Sequence, residues 1–145
     1  MKNVLVINGP NLNLLGEREK GIYGTDTYES ICAEITNKAI KLGFDDCEIF
    51  QSNHEGEIID AIHEARLDKC GIIINAGAYT HYSYAIRDAI AAITIPVIEV
   101  HISNIYNRDE FRSHSVIAPV CSGHLCGFGK YGYILALEGL KEMTK

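Results

Sequence analysis

A glutamate and a histidine lie two residues apart in the apolar run from Pro96 to Ile102, at positions Glu99 and His101. On a β-strand, residues two apart point to the same face of the sheet. A carboxylate beside an imidazole fixes the imidazole tautomer and favours its protonated form, which makes the histidine a proton donor. The same spacing is compatible with a partly buried histidine that is satisfied by a backbone carbonyl, so both interpretations stand on spacing alone.

A second group of candidate residues lies in the loop after the first apolar run, residues 3–7. Residues 8–13 include three asparagines, and glycines bracket a charged flap that carries Arg18 and Tyr23. A tyrosine with a pKa of about 10 is a poor base at neutral pH. A guanidinium in a closed, dry pocket lowers that pKa and makes the phenolate available as a base. The loop therefore suits a polyoxygenated small molecule, although Tyr23 taken alone is also typical of a surface tyrosine.

Further charged and polar side chains follow at separate places in the chain. Arg108 and Arg112 lie in a long polar loop and can bind a carboxylate through paired hydrogen bonds, or can form a solvated loop face. His81 precedes a predicted helix, either as a residue near the helix cap or as a second contact at the site. Asp88 lies within that helix, where a solvated role is the simpler interpretation.

Composition excludes several classes of function. The 145 residues carry a formal net charge of −6, and no basic stripe predicts nucleic acid as a partner. No apolar run approaches the length of a membrane span, and the N-terminal run is too short for a secretory signal, so we expect a cytoplasmic protein without a membrane partner. The five cysteines match no disulfide framework and predict reduced thiols. A metal site formed by Cys121, His124 and Cys126 is the less favoured alternative.

Short apolar runs alternate with segments of helical periodicity along the whole chain. This alternation predicts an α/β fold with a five-stranded parallel sheet and helices on both faces, flavodoxin-like with strand order 2-1-3-4-5. Asp26 and Glu29 resemble a capping box at the start of the first helix. The predicted strands are residues 3–8, 46–52, 71–75, 96–102 and 116–121, and the predicted helices are residues 27–42, 55–68, 83–93 and 131–143.

Ligands of open parallel sheets bind outside the carboxyl ends of the strands. The first, third and fourth predicted strands end near Asn11, Asn75 and His101, so amide and imidazole groups meet at one edge of the sheet. The loop from Gly9 to Gly16 has no serine or threonine for a flavin phosphate and no G-x-G-x-x-G for a dinucleotide. A receiver-type phosphoacceptor needs acidic residues at these strand ends, and they are absent.

With these residues in place, the chain resembles the type II 3-dehydroquinate dehydratases over its full length. The resemblance implies one domain over residues 1–145 and the conversion of 3-dehydroquinate to 3-dehydroshikimate in the shikimate pathway of aromatic amino acid biosynthesis, or in quinate breakdown. It also implies a trimer-based dodecamer and no metal or cofactor. The motifs that carry the resemblance are Asn8-Gly9-Pro10-Asn11-Leu12-Asn13, Arg18-Glu19, Tyr23-Gly24, Asn75-Ala76-Gly77, His81, Glu99-Val100-His101-Ile102-Ser103-Asn104, Phe111-Arg112 and Gly127-Phe128-Gly129.

The resemblance further implies a role for each matching residue. Tyr23 would be the base, with Arg18 stabilising its phenolate. Asn11 would hold the enolate by a hydrogen bond through an ordered water. His101 would protonate the departing hydroxyl, oriented by Glu99. The residues that match substrate-binding positions are Asn75, His81, Asp88, Ile102, Ser103 and Arg112, of which Ile102 would act through its backbone and Asp88 would reach a neighbouring subunit's site.

Two positions depart from the family pattern. Lys20 stands where proline is frequent, and Tyr28 where leucine is frequent. Lys20 gives the flap more freedom and one more cation, which bears on flap closure and not on the residues that do the chemistry.

A flavodoxin-like module that binds a small anion or a partner protein without catalysis is the alternative function. It accounts for the fold and the arginines, but not for the convergence of Asn11, Asn75, Glu99 and His101 with a flap tyrosine.

Overall fold

The computed structural model of the chain describes residues 1–17 and 26–145. Five parallel strands form one sheet in the order β2-β1-β3-β4-β5, which confirms the predicted topology. β1 and β3 occupy the centre, and the asparagines that end these two strands, Asn8 and Asn75, are register partners. The strands are β1 (Asn3–Asn8), β2 (Asp46–Gln51), β3 (Gly71–Asn75), β4 (Val97–His101) and β5 (Gly123–Cys126).

Helices cover both faces of the sheet. Val4 and Val6 of β1 pack in the apolar cluster beneath α1 and α4, whereas Leu5 and Ile7 pack in the cluster beneath α2 and α3. Because successive side chains of a strand point to opposite faces, a strand that is covered twice must be apolar throughout. Within residues 1–17 and 26–145, the four α-helices are α1 (Tyr28–Lys41), α2 (Glu55–Asp68), α3 (Tyr84–Ala91) and α4 (Tyr131–Met143), close to the predicted spans.

The cap of α1 differs from the predicted Asp26–Glu29 capping box. Thr27 is the cap residue, and its side-chain oxygen accepts a hydrogen bond from the amide of Ser30 at 3.1 Å. Asp26 lies one residue too early for this role, and its carboxylate pairs instead with Lys130 at 3.2 Å. Both Asp26 and Thr27 are good capping types, so sequence alone did not separate them.

The prediction of a fifth strand at residues 116–121 was wrong. Ala118–Val120 forms a 3₁₀ helix that contains a proline, and the strand begins later, at Gly123. Proline has no amide hydrogen to donate to a sheet ladder, whereas it suits the first turn of a helix. The shift in position matters for the site, because β5 pairs with β4 in a register that places His124 beside Glu99.

Among the helices in the described part of the chain, none combines the length and the apolar character needed to cross a membrane.

Candidate active site

A polar cavity of about 280 Å³ lies at the carboxyl ends of the central strands. The loops after β1, β3 and β4 all contribute to its walls, as expected for an open parallel sheet. Two arginines on the loop after β4, Arg108 and Arg112, give it positive charge. The predicted site residues that line the cavity are Asn11, Asn75, His81, His101, Ile102 and Arg112.

The loop after β1 is held by side chains from the end of β2. Asn11 adopts a left-handed backbone conformation with φ 70°, which asparagine tolerates better than most residues. The backbone N–H of Asn11 donates to Oδ1 of Asn53 at 3.0 Å. The side chain of Gln51 donates to the same Oδ1 and to the carbonyl of Gly9, each at 3.1 Å. Asn53 and Gln51 thus fix the backbone that presents Asn11 to the cavity.

Asn75 is locked on both sides of its side-chain amide. Its Oδ1 accepts from the amide of Gly77 at 3.2 Å, and its Nδ2 donates to the hydroxyl of Tyr133 at 3.0 Å. That hydroxyl donates in turn to Oδ1 of Asn8 at 2.6 Å. Tyr133 is fully buried, and burial raises the pKa of its phenol, so the hydroxyl stays neutral and keeps its proton for Asn8.

Glu99 and His101 form a buried hydrogen-bonded pair. Nε2 of His101 contacts Oε2 of Glu99, as their shared strand face predicts. Glu99 has no exposed surface and His101 is 5% exposed. Since the carboxylate occupies Nε2, Nδ1 is the ring nitrogen of His101 that remains for proton transfer.

Two hydroxyl groups complete the surroundings of the Glu99 carboxylate. Thr80 donates to Oε2 at 2.7 Å, and Ser115 donates to both carboxylate oxygens at 2.8 Å. Burial by itself would raise the pKa of Glu99, but the hydrogen bonds from His101, Thr80 and Ser115 outweigh it and hold the pKa below its usual range. Glu99 is therefore an anion at neutral pH.

His124 lies on the other side of the same carboxylate. Its Nε2 is 3.8 Å from Oε2 of Glu99, and this buried atom has no hydrogen-bond partner among the described residues. Burial lowers the pKa of His124, and the nearby Glu99 charge offsets this only in part. Within residues 1–17 and 26–145, the group with ligand atoms close enough for a metal ion is Glu99, His101 and His124, and it does not include Cys121 or Cys126.

The cavity is bordered by a neutral histidine, His81, and by a cation, Arg108. Nδ1 of His81 contacts the carbonyl of His114 at 2.8 Å, so this nitrogen carries the ring hydrogen. Burial lowers the pKa of His81, which makes its ring neutral at pH 7. Arg108 donates to the hydroxyl of Ser103, so the predicted residue Ser103 contacts a cation that lines the cavity.

Among the predicted site residues that the structure describes, Asp88, Glu99 and Ser103 do not line the cavity. Asp88 is exposed on α3 and lies outside the cavity lining. Arg18 and Tyr23, like the departure at Lys20, fall outside the described residues. Their proposed roles therefore stay predictions.

Several residues of the site carried no signal in the sequence. Thr80 and Ser115 are separated from Glu99 by 19 and 16 positions and belong to no motif with it. Tyr133 lies 125 residues from Asn8, in a segment that was predicted only as a helix. The sequence groups His124 with Cys121 and Cys126. Its contact with Glu99 depends instead on where β5 begins and how it pairs with β4.

Comparison with known proteins identifies the family to which the chain is similar. A family model described as Dehydroquinase class II matches residues 2–141. A 3-dehydroquinate dehydratase of Caldicellulosiruptor bescii is 65% identical over 144 residues, covering 99% of each chain. One from Bacillus cytotoxicus is 61% identical over 142 residues, covering 98% of this chain and 97% of the relative.

Solved structures show the same fold at high sequence identity. A type II dehydroquinase from Butyrivibrio crossotus superposes with a TM-score of 0.93 at 54% identity, covering 96% of this chain and 97% of the other. The type II dehydroquinase of Propionibacterium acnes gives the same TM-score at 44% identity, with 98% and 97% covered. Because the family model covers residues 2–141 and these relatives are 44–65% identical over nearly their full length, the chain belongs to the class II dehydroquinase family.

Proposed function

We propose that this chain is a 3-dehydroquinate dehydratase that removes water from 3-dehydroquinate to give 3-dehydroshikimate by anti elimination through an enolate. The observation that carries the proposal is the buried pair of Glu99 and His101, in which His101 lines a polar cavity that also presents Arg108 and Arg112. Such a cavity offers a proton donor together with cations for an anionic substrate. Relatives that are 61–65% identical over nearly their full length carry the name of this activity.

The first step would be the removal of a proton alpha to the ketone. Tyr23, as the phenolate stabilised by Arg18, takes that proton, and the electrons of the C–H bond form the enolate. Asn11 lies at the cavity and its backbone N–H donates to Asn53, which supports a role for the side-chain amide of Asn11 as a donor to the enolate. Preorganised donors near developing charge lower the barrier without a reorganisation cost.

The second step would be the loss of the hydroxyl group. The enolate electrons return, the carbon–oxygen bond breaks, and His101 transfers a proton to the leaving oxygen so that water departs. Glu99 supports this role, because its contact with His101 fixes Nε2 and leaves Nδ1 to deliver the proton. The substrate contacts in this proposal are Asn75, His81, Ile102, Ser103 and Arg112.

The activity is tested by adding 3-dehydroquinate to the purified protein and following the ultraviolet absorbance of the conjugated enone product. Tyr23→Phe should abolish exchange of the alpha proton with solvent, whereas His101→Ala should slow loss of the hydroxyl more than exchange. Tyr131→Phe, a change at an exposed tyrosine, is the matched control. A flat absorbance trace from folded protein would favour a binding module, and near-normal turnover of Tyr23→Phe would exclude that base.

We further infer a trimer-based dodecamer in which Asp88 reaches the site of a neighbouring subunit. Tyr82, Tyr84 and Phe111 are 59%, 68% and 65% exposed, and they line a cavity of about 790 Å³ that also borders His81 of the site. Exposed aromatic patches of this kind favour an interface. Light scattering should give about twelve times the 16.0 kDa subunit mass, and a monomer with full activity would contradict the assembly.

We propose a cytoplasmic location for the protein and a biosynthetic role for the reaction. All five cysteines are free, which supports a cytoplasmic location. We assign the step to aromatic amino acid biosynthesis, with quinate breakdown as the alternative. Growth of a deletion strain without aromatic amino acids distinguishes the two, because only a biosynthetic role makes the strain dependent on them.

A further inference from the structure

We propose that Glu99, His101 and His124 bind a Zn²⁺ ion that reversibly inhibits the enzyme by occupying the ring of His101. The binding site is independent of the proposed dehydratase activity, whereas the inhibition rests on it. The ion is an inhibitor and takes no part in the proposed elimination.

The donor set suits zinc. Two imidazole nitrogens and one carboxylate oxygen are a common ligand set for Zn²⁺ in proteins, with a fourth position open to water. The three ligand atoms of this group all lie within 4.8 Å of one another. Bonds of about 2.0–2.2 Å in a tetrahedral arrangement place ligand atoms roughly 3.3 Å apart.

The distances require small movements in two directions. Nε2 of His124 and Oε2 of Glu99 are 3.8 Å apart, so this pair closes by about half an ångström around an ion with such bonds. His101 and Glu99 are in direct hydrogen-bond contact and must separate by about one ångström, with the ion replacing the proton between them. His101 ends β4, where its side chain adjoins the cavity, so space for this movement lies on the cavity side.

The state of His124 is the second observation that points to a ligand. Its Nε2 is buried and has no hydrogen-bond partner among the described residues, although it faces a carboxylate. A buried polar atom without a partner is unfavourable, because it has lost its hydrogen bonds to water. A metal–nitrogen bond would satisfy this atom. The His124 side chain is 20% exposed, which gives an ion a route to the group.

Neighbouring hydroxyls already hold the carboxylate in place for such an ion. Thr80 and Ser115 donate to Glu99, and hydrogen bonds of this kind orient carboxylate ligands in metal sites. Once His101 coordinates the ion through Nε2, its contact with Glu99 is lost and the ring holds a single proton, on Nδ1. Loss of that proton would leave an imidazolate, so the zinc-bound ring is too weak an acid to act as the proton donor. Binding and inhibition should therefore share one dissociation constant.

The test titrates ZnCl₂ into chelator-treated enzyme, with binding measured by calorimetry and inhibition by the enone absorbance assay. We expect one Zn²⁺ per subunit, inhibition that EDTA reverses, and no effect of Mg²⁺, which prefers oxygen ligands. His124→Gln should raise the dissociation constant by at least about tenfold, with inhibition compared against the zinc-free rate of the same variant. His63→Gln, at an exposed helix position, is the matched control and should bind zinc like the unchanged protein.

Three outcomes would overturn the proposal. Equal zinc affinity in His124→Gln and the unchanged protein would remove His124 from the site. A loss of affinity in Cys126→Ser would assign the ion to cysteine ligands instead. Zinc bound in a His124-dependent manner without inhibition of an active enzyme would remove His101 from the ligand set. Zinc binding that depends on His124 in a protein without dehydratase activity would support the site and contradict only the proposed function.

Discussion

Removal of one buried hydroxyl, in Tyr133→Phe, should destabilise the protein by about 2–6 kcal/mol, since it leaves two buried amides without a partner. The hydroxyl donates to Asn8 at 2.6 Å and accepts from Asn75 at 3.0 Å. Asn8 and Asn75 are 1% and 3% exposed, so water cannot replace the lost partner. Each stranded buried polar group costs about 1–3 kcal/mol, and partial relaxation of the two amides accounts for the lower end of the range.

Tyr28→Phe is the matched control, because it removes a hydroxyl from the same network at a weaker contact. Tyr28 is half-buried, and its hydroxyl lies 3.4 Å from Nδ2 of Asn8. We expect a loss below about 1 kcal/mol. Urea unfolding at one fixed protein concentration measures both variants, and the concentration matters because assembly adds to apparent stability.

Catalysis provides a second measurement for Tyr133→Phe. Asn75 keeps its hydrogen bond from Gly77 but loses the one that fixes its Nδ2, so its amide becomes less ordered in the cavity wall. We expect KM to rise more than kcat falls, since Asn75 is proposed to contact substrate and not the transferred proton. Equal stability of Tyr133→Phe and Tyr28→Phe, or a change below about 0.5 kcal/mol for Tyr133→Phe, would refute the assignment of this network.

Three further predictions follow from local geometry. Gly9→Ala should lower the free energy of unfolding by about 1–3 kcal/mol, because the new Cβ would clash with the backbone carbonyl oxygen of Ala76. Gly56→Ala, at a helical position with open space around the new Cβ, is the control and should be neutral or stabilising. Thermal unfolding measures both variants. Thr80→Val should lower kcat with little change in KM, since it removes a donor from the carboxylate that orients the proton donor; an unchanged kcat would contradict this role. Cys47 and Cys121, with pKa values raised by burial to about 11 and about 12, should be modified by a thiol reagent at pH 8 only after unfolding, because roughly one thiol in a thousand or fewer is ionised there. Mass spectrometry of the labelled peptides measures this, and rapid labelling of either thiol in the native protein would contradict it.

Much of the fold was predictable because its signals are local. The apolar residues of β1 and β3, with no polar alternation, indicate strands covered on both faces, and the structure confirms this in two apolar clusters. The spans of α2 and α4 matched their periodicity closely. Where the local signal was ambiguous, as at the cap of α1, the prediction was wrong by one residue. The fifth strand lies later than predicted because Pro119 cannot donate to a sheet ladder and suits the 3₁₀ helix at Ala118–Val120.

The candidate site was predictable only in part, and the division has a physical reason. The shared face of Glu99 and His101 follows from the two-residue period of a strand, so the sequence by itself determined that these side chains meet. The hydrogen bonds that keep Glu99 anionic come from Thr80 and Ser115, and the contact with His124 depends on which residues of β5 pair with β4. These contacts join residues far apart in the chain, and no periodicity records them. Only the tertiary structure brings them to one carboxylate, because sheet register and loop packing decide which distant side chains share a buried space.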